Sequence, residues 1–281
     1  MARRADAVLP STSALAALLL PFLVVASILL YLFPRSTDVL FAWTIEPGLT
    51  AMFLGSAYVG GIWFFVQVLR ARRWSRVSRG FPAVLVFATL ALVATVLHWD
   101  RFHFGHISFI AWASLYILSP LLIAAVMWSQ RGADNGSPDT PDVTIPRAVR
   151  ITLAAIGIVA AIAGLALFLQ PALGAGWAWD LTPLTSRIVG AILTLPGMVN
   201  VLMLFDDRWS AFRRVVQAEL VSLAFIVGAL VFSGGDLQWQ RPSAALFSLG
   251  MIAALGVYAG MYAWLERRVT AESSVRAGRP Q

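Results

Sequence analysis

Phe41-Ala42-Trp43-Thr44-Ile45-Glu46-Pro47-Gly48-Leu49-Thr50 returns, one residue shorter and in most of its pattern, as Trp177-Ala178-Trp179-Asp180-Leu181-Thr182-Pro183-Leu184-Thr185. Working outward from this pair, residues 49–104 slide onto 184–239 by adding 135, with 14 identities in 56 positions and no gap. Shared apolar composition accounts for some of these identities. It does not account for the polar ones, in which Arg73-Trp74-Ser75 with Arg79 matches Arg208-Trp209-Ser210 with Arg214. Helix-breaking residues also correspond to within one position: Pro21 with Gly157, Gly60-Gly61 with Pro196-Gly197, and Pro120 with Gly256. The sequence therefore reads as one four-helix unit written twice.

The unit belongs in a membrane. Of 281 residues, 59% are hydrophobic and only 12% charged, against about 25% charged in a soluble domain. Apolar runs of bilayer length predict eight spans, at about 14–33, 48–69, 81–97, 107–128, 148–169, 183–205, 215–233 and 243–265. The first run follows Arg3 and Arg4 as a signal peptide would, but its length and the lack of a small-residue cleavage pattern favour retention. Residues 34–46 read as an amphipathic connector with Phe41 and Trp43 at interfacial depth. Ser129 to Arg147, rich in Gly, Pro, Asp and Ser, is the linker-like stretch. The domain reading is thus 1–128 for the first repeat, 129–147 for a cytoplasmic linker, 148–265 for the second repeat and 266–281 for a cytoplasmic tail.

All 21 basic residues are arginine. With eight spans and the N-terminus inside, 17 lie in inner segments and only Arg35, Arg101 and Arg241 outside, with Arg187 inside a span; this asymmetry predicts both termini cytoplasmic in the plasma (inner) membrane. It also explains the net charge of +7 without nucleic acid. Because each unit has an even number of helices, the halves are predicted to be parallel repeats about a pseudo-two-fold axis along the membrane normal, giving an all-α membrane fold.

Several chemistries are excluded. There is no cysteine for disulfides, thiolate catalysis or clusters, and no lysine for a Schiff base. A phosphate-binding glycine loop, a His-Glu-x-x-His helix, a Gly-x-Ser-x-Gly elbow and a dinucleotide fingerprint are all missing, so the reading leans away from an enzyme and names no cofactor. The three histidines fall within nine residues, and His98, Asp100, His103 and His106 carry ligand types a divalent metal takes. The second unit has Ser233, Gln238 and Arg241 at the histidine positions, which argues against a structural metal. Arg187 is read as pointing inward to pair with Glu46 or Asp180, Glu219 as a snorkelling partner for an inner arginine, and Asn200 as a helix-packing hydrogen bond.

The elements at 41–45 with Leu49-Thr50, and Leu97-His98-Trp99-Asp100-Arg101-Phe102, resemble uncharacterised multi-spanning membrane proteins of actinobacterial type over most of the chain. That resemblance implies no activity and supplies no site residues. The functional expectation is a transporter-like protein, or one that binds a small molecule between its repeats from the outer face, lined by Trp43, Glu46, Trp179, Asp180 and Arg187. The alternatives are an accessory or structural subunit packed on a membrane protein partner, then a membrane enzyme or metal protein.

Overall fold

A computed structural model describes residues 6–277, with side chains through Ser274; Arg3, Arg4, Arg276 and Arg279, counted above for orientation, lie outside the described residues or side chains. Among the described residues nine α-helices run α1 (Pro10–Leu32), α2 (Thr37–Leu40), α3 (Gly48–Arg70), α4 (Phe81–Leu97), α5 (Ile107–Ser129), α6 (Arg147–Leu169), α7 (Pro183–Leu202), α8 (Trp209–Phe232) and α9 (Pro242–Ala277). Eight of them, all but α2, are long and apolar enough to cross a bilayer, with mean hydropathy between 1.3 and 2.7.

The helix pairings recur between the halves. α1 packs on α3 as α6 packs on α7, and α4 on α5 as α8 on α9; across the halves, α3 meets α8, α4 meets α7, and α3 meets α7. The two centremost helices are thus α3 and α7, each 72% buried over its most apolar stretch. Their hydropathies of 1.6 and 1.3 are the lowest of the eight. The cause is compositional: Thr50, Ser56, Thr185, Ser186, Thr194 and Asn200 are buried, and such groups are satisfied against protein rather than lipid. Thr182 and Thr185 close a capping box at the start of α7. α7 meets α6 through glycine; a Cβ on Gly190 would lie 2.4 Å from the Gly164 carbonyl oxygen, and one on Gly164 2.5 Å from that of Gly190, so only hydrogen fits at either position.

The connections form two faces. On one, the arginine-rich face, Asp6 accepts from Ser75 N–H at 2.8 Å and Ser75 Oγ at 2.7 Å, while Asp142 accepts from Ser210 N–H at 2.9 Å and from Ser210 Oγ. On the opposite face, His103 N–H donates to the Ala42 carbonyl and Gln238 N–H to that of Ala178, both at 2.9 Å. The turn after α4, with His98 bonded to Ala94, Arg101 to His98 and His106 to His103, repeats after α8 as Ser233 to Ala229, Asp236 to Ser233 and Arg241 to Gln238.

Four sequence expectations need correction. α8 starts at Trp209, six residues early, because Asp142 holds its first turn and arginine is a good helix former. α9 continues past Leu265 to Ala277, through Glu, Arg and Ala with no breaker, so residues 266–277 are not a separate tail. The 129–147 segment is not a loose linker: Asp134, Asp139 and Asp142 bind groups from other loops, Ile145 N–H bonds the Asp207 carbonyl at 2.7 Å, and Thr144 bridges to Arg208. Phe41 and Trp43 pack into the protein core, so the connector does not turn them outward.

Candidate functional site

The five residues expected to line one outer site are held in different surroundings. Trp43 is buried in an aromatic knot with Phe41, Phe102 and Trp112, its ring centroid 4.5 Å from that of Trp112. Trp179 is buried in the corresponding knot of the other half, with Trp177 and Phe247, and touches Phe53 of α3 across the halves. Both are held by the folding of the connector that precedes the central helix. Their polar atoms differ, however. Trp179 Nε1 donates to Thr50 Oγ1 at 2.8 Å. The matching acceptor for Trp43 would be Thr185, whose hydroxyl is spent on the α7 cap, and Trp43 Nε1 is buried without a partner.

Neither carboxylate pairs with Arg187. Glu46 is exposed, and among the described residues it makes no ion pair. Asp180 is itself exposed and binds Arg241 at 2.8 Å and Gln238 at 3.1 Å. Reach alone had made both carboxylates available; their own connectors hold them at the surface.

Arg187 instead donates through Nη1 to His98 Nε2. This joins α7 of one half to the C-terminus of α4 in the other. Guanidinium has no acceptor, so His98 Nε2 must be unprotonated; burial and then the Arg187 charge hold His98 below the usual imidazole range. The result is a cation partnered by a neutral ring. Arg187 Nε is buried with no acceptor, and no described carboxylate lies within 4.0 Å of the guanidinium. The positions 135 residues away hold Met52 and Ser233, which meet in the same way through an uncharged contact, Ser233 Oγ to Met52 Sδ at 3.2 Å.

A second difference lies beside it. Asp236 places a carboxylate on the N-terminus of α3, accepting from Leu49 N–H at 2.8 Å, a charge that suits the positive end of a helix. The residue matching Asp236 is Arg101, so the loop that matches it brings α7 no such carboxylate. Arg101 pairs with its neighbour Asp100, both well exposed.

The histidine cluster is dispersed. His98 faces Arg187, His103 is fixed by the Phe41 carbonyl at 3.0 Å and Thr44 at 3.2 Å, and His106 caps α5 through Ser108. Among the described residues no three His, Asp or Glu side chains are grouped to hold a metal.

Glu219 differs from its expected role. Both carboxylate oxygens are enclosed within the span with no hydrogen-bond partner, and no arginine lies within 4.0 Å. Asn200 does bond between helices, to Tyr258 at 2.8 Å. The matching positions in the first half are Val84, Phe65 and Ile123, a contrast that was legible in the sequence. Two cavities lie away from all five outer residues: an apolar crevice of about 290 Å³ between α1 and α5 beside Pro21, and a polar pocket of about 370 Å³ on the arginine-rich face. No protein-family model, curated protein or solved structure matches the chain, so its chemistry is argued from its own geometry.

Proposed function

We propose that this chain is a transporter-like protein of the plasma membrane, built as two parallel four-helix repeats about a pseudo-two-fold axis along the membrane normal, with the arginine-rich face cytoplasmic. The repeat reading is supported by the recurring helix pairings and by the turn hydrogen bonds that reappear 135 residues later. The ligand it binds from the outer face is a small anion, received where α4 of one repeat crosses α7 of the other.

One observation carries this reading: Arg187 is an intramembrane guanidinium at the contact between halves, with a neutral histidine and no carboxylate. A charge within a span costs at least about 2.5 kcal/mol near the centre of the bilayer and less towards its edge, so a site that leaves one uncompensated is complete only with an anion. The other half supports the same reading, since Asp236 supplies there the carboxylate that the loop bearing Arg101 does not bring to α7.

The test is thermal unfolding of purified protein in detergent with acetate, citrate and sulfate, for wild type and Arg187→Gln. At 100 times its dissociation constant a ligand stabilises by about 2.7 kcal/mol, so wild type should gain melting temperature in a saturable way and Arg187→Gln should gain less. Equal responses of the two proteins to every anion would refute the reading. A second reading, a subunit packed on a membrane partner, is favoured by α9, where nothing lies within 4 Å of a Cβ built on Gly250, Gly256 or Gly260.

A further inference from the structure

The polar pocket on the arginine-rich face has a filled counterpart in the other half. Trp74, Ser78, Pro82, Met127, Gln130 and Arg131 line it. Adding 135 to each gives Trp209, Arg213, Gln217, Tyr262, Leu265 and Glu266. These six form a closed set. Glu266 accepts from Trp209 Nε1 at 2.8 Å and from Arg213; the Tyr262 ring meets Trp209 edge-on at 5.6 Å, and its hydroxyl accepts from Gln217 Nε2 at 2.6 Å. Carboxylate, guanidinium and phenol are thus bonded to one another or to their neighbours there.

In the first half each filling group has been exchanged for something smaller or opposite. Tyr becomes Met127, Arg becomes Ser78 and Gln becomes Pro82, which opens the space; Glu becomes Arg131, which reverses its charge. Leu265 becomes Gln130, which is only 1% exposed. Its Oε1 accepts from Leu9 N–H at 2.9 Å, whereas its Nε2 is buried with no acceptor, which is costly while it is left so. The acid in the lining, Asp134, is already committed to Arg208 through two bonds, at 2.9 and 2.8 Å, and to Arg79 at 3.3 Å. Arg131 rests on the Trp128 ring at 3.5 Å and has no carboxylate within 4.0 Å among the described residues.

We infer that this pocket binds an anionic carboxylate or phosphate group, whose oxygens take the place that Glu266 fills in the other half and accept from Gln130 Nε2 and Trp74, with Arg131 supplying the charge. It is a second anion site, on the face opposite Arg187 and independent of it. The group is either that of a free small molecule or the phosphate of a lipid headgroup in the adjoining leaflet.

The variant that decides is Arg131→Glu, which restores the residue of the other half and so supplies its own carboxylate to the pocket. Gln130→Leu, likewise borrowed from the other half, removes the orphan donor and guards against misfolding of the first variant. Melting is measured in detergent against inorganic phosphate, and in nanodiscs of phosphatidylcholine with and without phosphatidylglycerol. A free ligand is indicated if phosphate raises the melting temperature of wild type and Arg187→Gln, with affinity lowered about tenfold or more in both pocket variants, a loss of about 1.4 kcal/mol. A lipid is indicated if phosphate does nothing and phosphatidylglycerol stabilises wild type but neither variant. Either result supports the inference. It is overturned if neither probe stabilises wild type, or if the folded variants respond as wild type does.

Discussion

Arg208→Gln is the substitution whose cost the structure fixes best. Arg208 is 10% exposed and grips two carboxylates, Asp134 (15%) and Asp206 (6%). It donates to Asp134 at 2.9 and 2.8 Å and to Asp206 at 2.9 and 2.6 Å. The arrangement ties the loop before α8 to the segment between the halves. Removing the guanidinium strands two buried carboxylates, and breaking a buried pair from one side costs about 3–5 kcal/mol. Arg79, which also reaches Asp206 at 2.6 Å, retains part of the compensation and places the expectation at the lower end, about 3 kcal/mol. The control is Arg101→Gln, whose pair with Asp100 is exposed on both sides and contributes only about 0–1 kcal/mol. Burial alone would raise both Asp134 and Asp206, but hydrogen bonds and charge from Arg208 and Arg79 outweigh it and leave both below the usual carboxylate range. Depressed values contribute stability that is present above the unfolded pKa of about 3.9 and lost as pH falls through the folded values. Wild type should therefore keep its melting temperature from neutral pH down to about 4 and lose it below, whereas in Arg208→Gln burial acts without its main opposition, so the acid loss from these two groups shrinks or turns into a gain as the stranded carboxylates protonate. Melting of both variants across that range is the assay. An Arg208→Gln protein as stable as Arg101→Gln, or with the acid limb of wild type, refutes the reasoning.

Gly190→Ala should cost about 1–3 kcal/mol by forcing α7 off α6, since its Cβ would meet the Gly164 carbonyl oxygen at 2.4 Å; an unchanged melting temperature would mean that the two helices separate freely. Glu219→Gln should leave stability unchanged or raise it, because both carboxylate oxygens are enclosed without a partner; a loss above about 1 kcal/mol would reveal a charged partner for Glu219. Ser137→Cys, at an exposed position of the arginine-rich face in a chain without cysteine, should resist membrane-impermeant maleimide in intact cells and label after permeabilisation. Labelling in intact cells would invert the proposed orientation.

Much of the framework was legible because its causes are local. A run of apolar residues, a proline at its start and an arginine at its end act within a few turns, and α4 was expected at the bounds it has. What the sequence could not settle was choice among non-local partners. Arg187 sits one turn inside α7, and Glu46 and Asp180 were both within a plausible radius; the folded connectors, not reach, excluded these carboxylates and left His98, which the sequence reading had not offered as a partner. Trp43 was placed at the interface from a statistical preference, which yielded to a core that offered it three aromatic neighbours. The segment at 129–147 read as a linker by composition, and its aspartates are opposed by loop arginines. Charge pairing between loops was the available signal, and composition alone hides it.

The proposed duplication makes each half a control for the other. Where residues 135 apart do the same work, as Ser75 with Asp6 and Ser210 with Asp142, the interaction belongs to the four-helix unit and its loss should register as instability. Where they diverge, the proposed repeat implies that the unit folds with either residue, so the costlier one requires another explanation. Met52 and Ser233 show that the matching α3–α8 crossing is made without a cation. Glu266 shows that the pocket beside Arg131 can be filled and neutralised from within. Val84 shows that a helix in the position of α8 packs without a carboxyl. Arg187, Arg131 and Glu219 are each the expensive alternative to a cheap residue that the other half carries. Two of the three are cations without a carboxylate, on opposite faces. That is the charge pattern expected of a protein that receives an anion on one side of the bilayer and holds one on the other, and it separates the residues that make this fold from those the fold does not require.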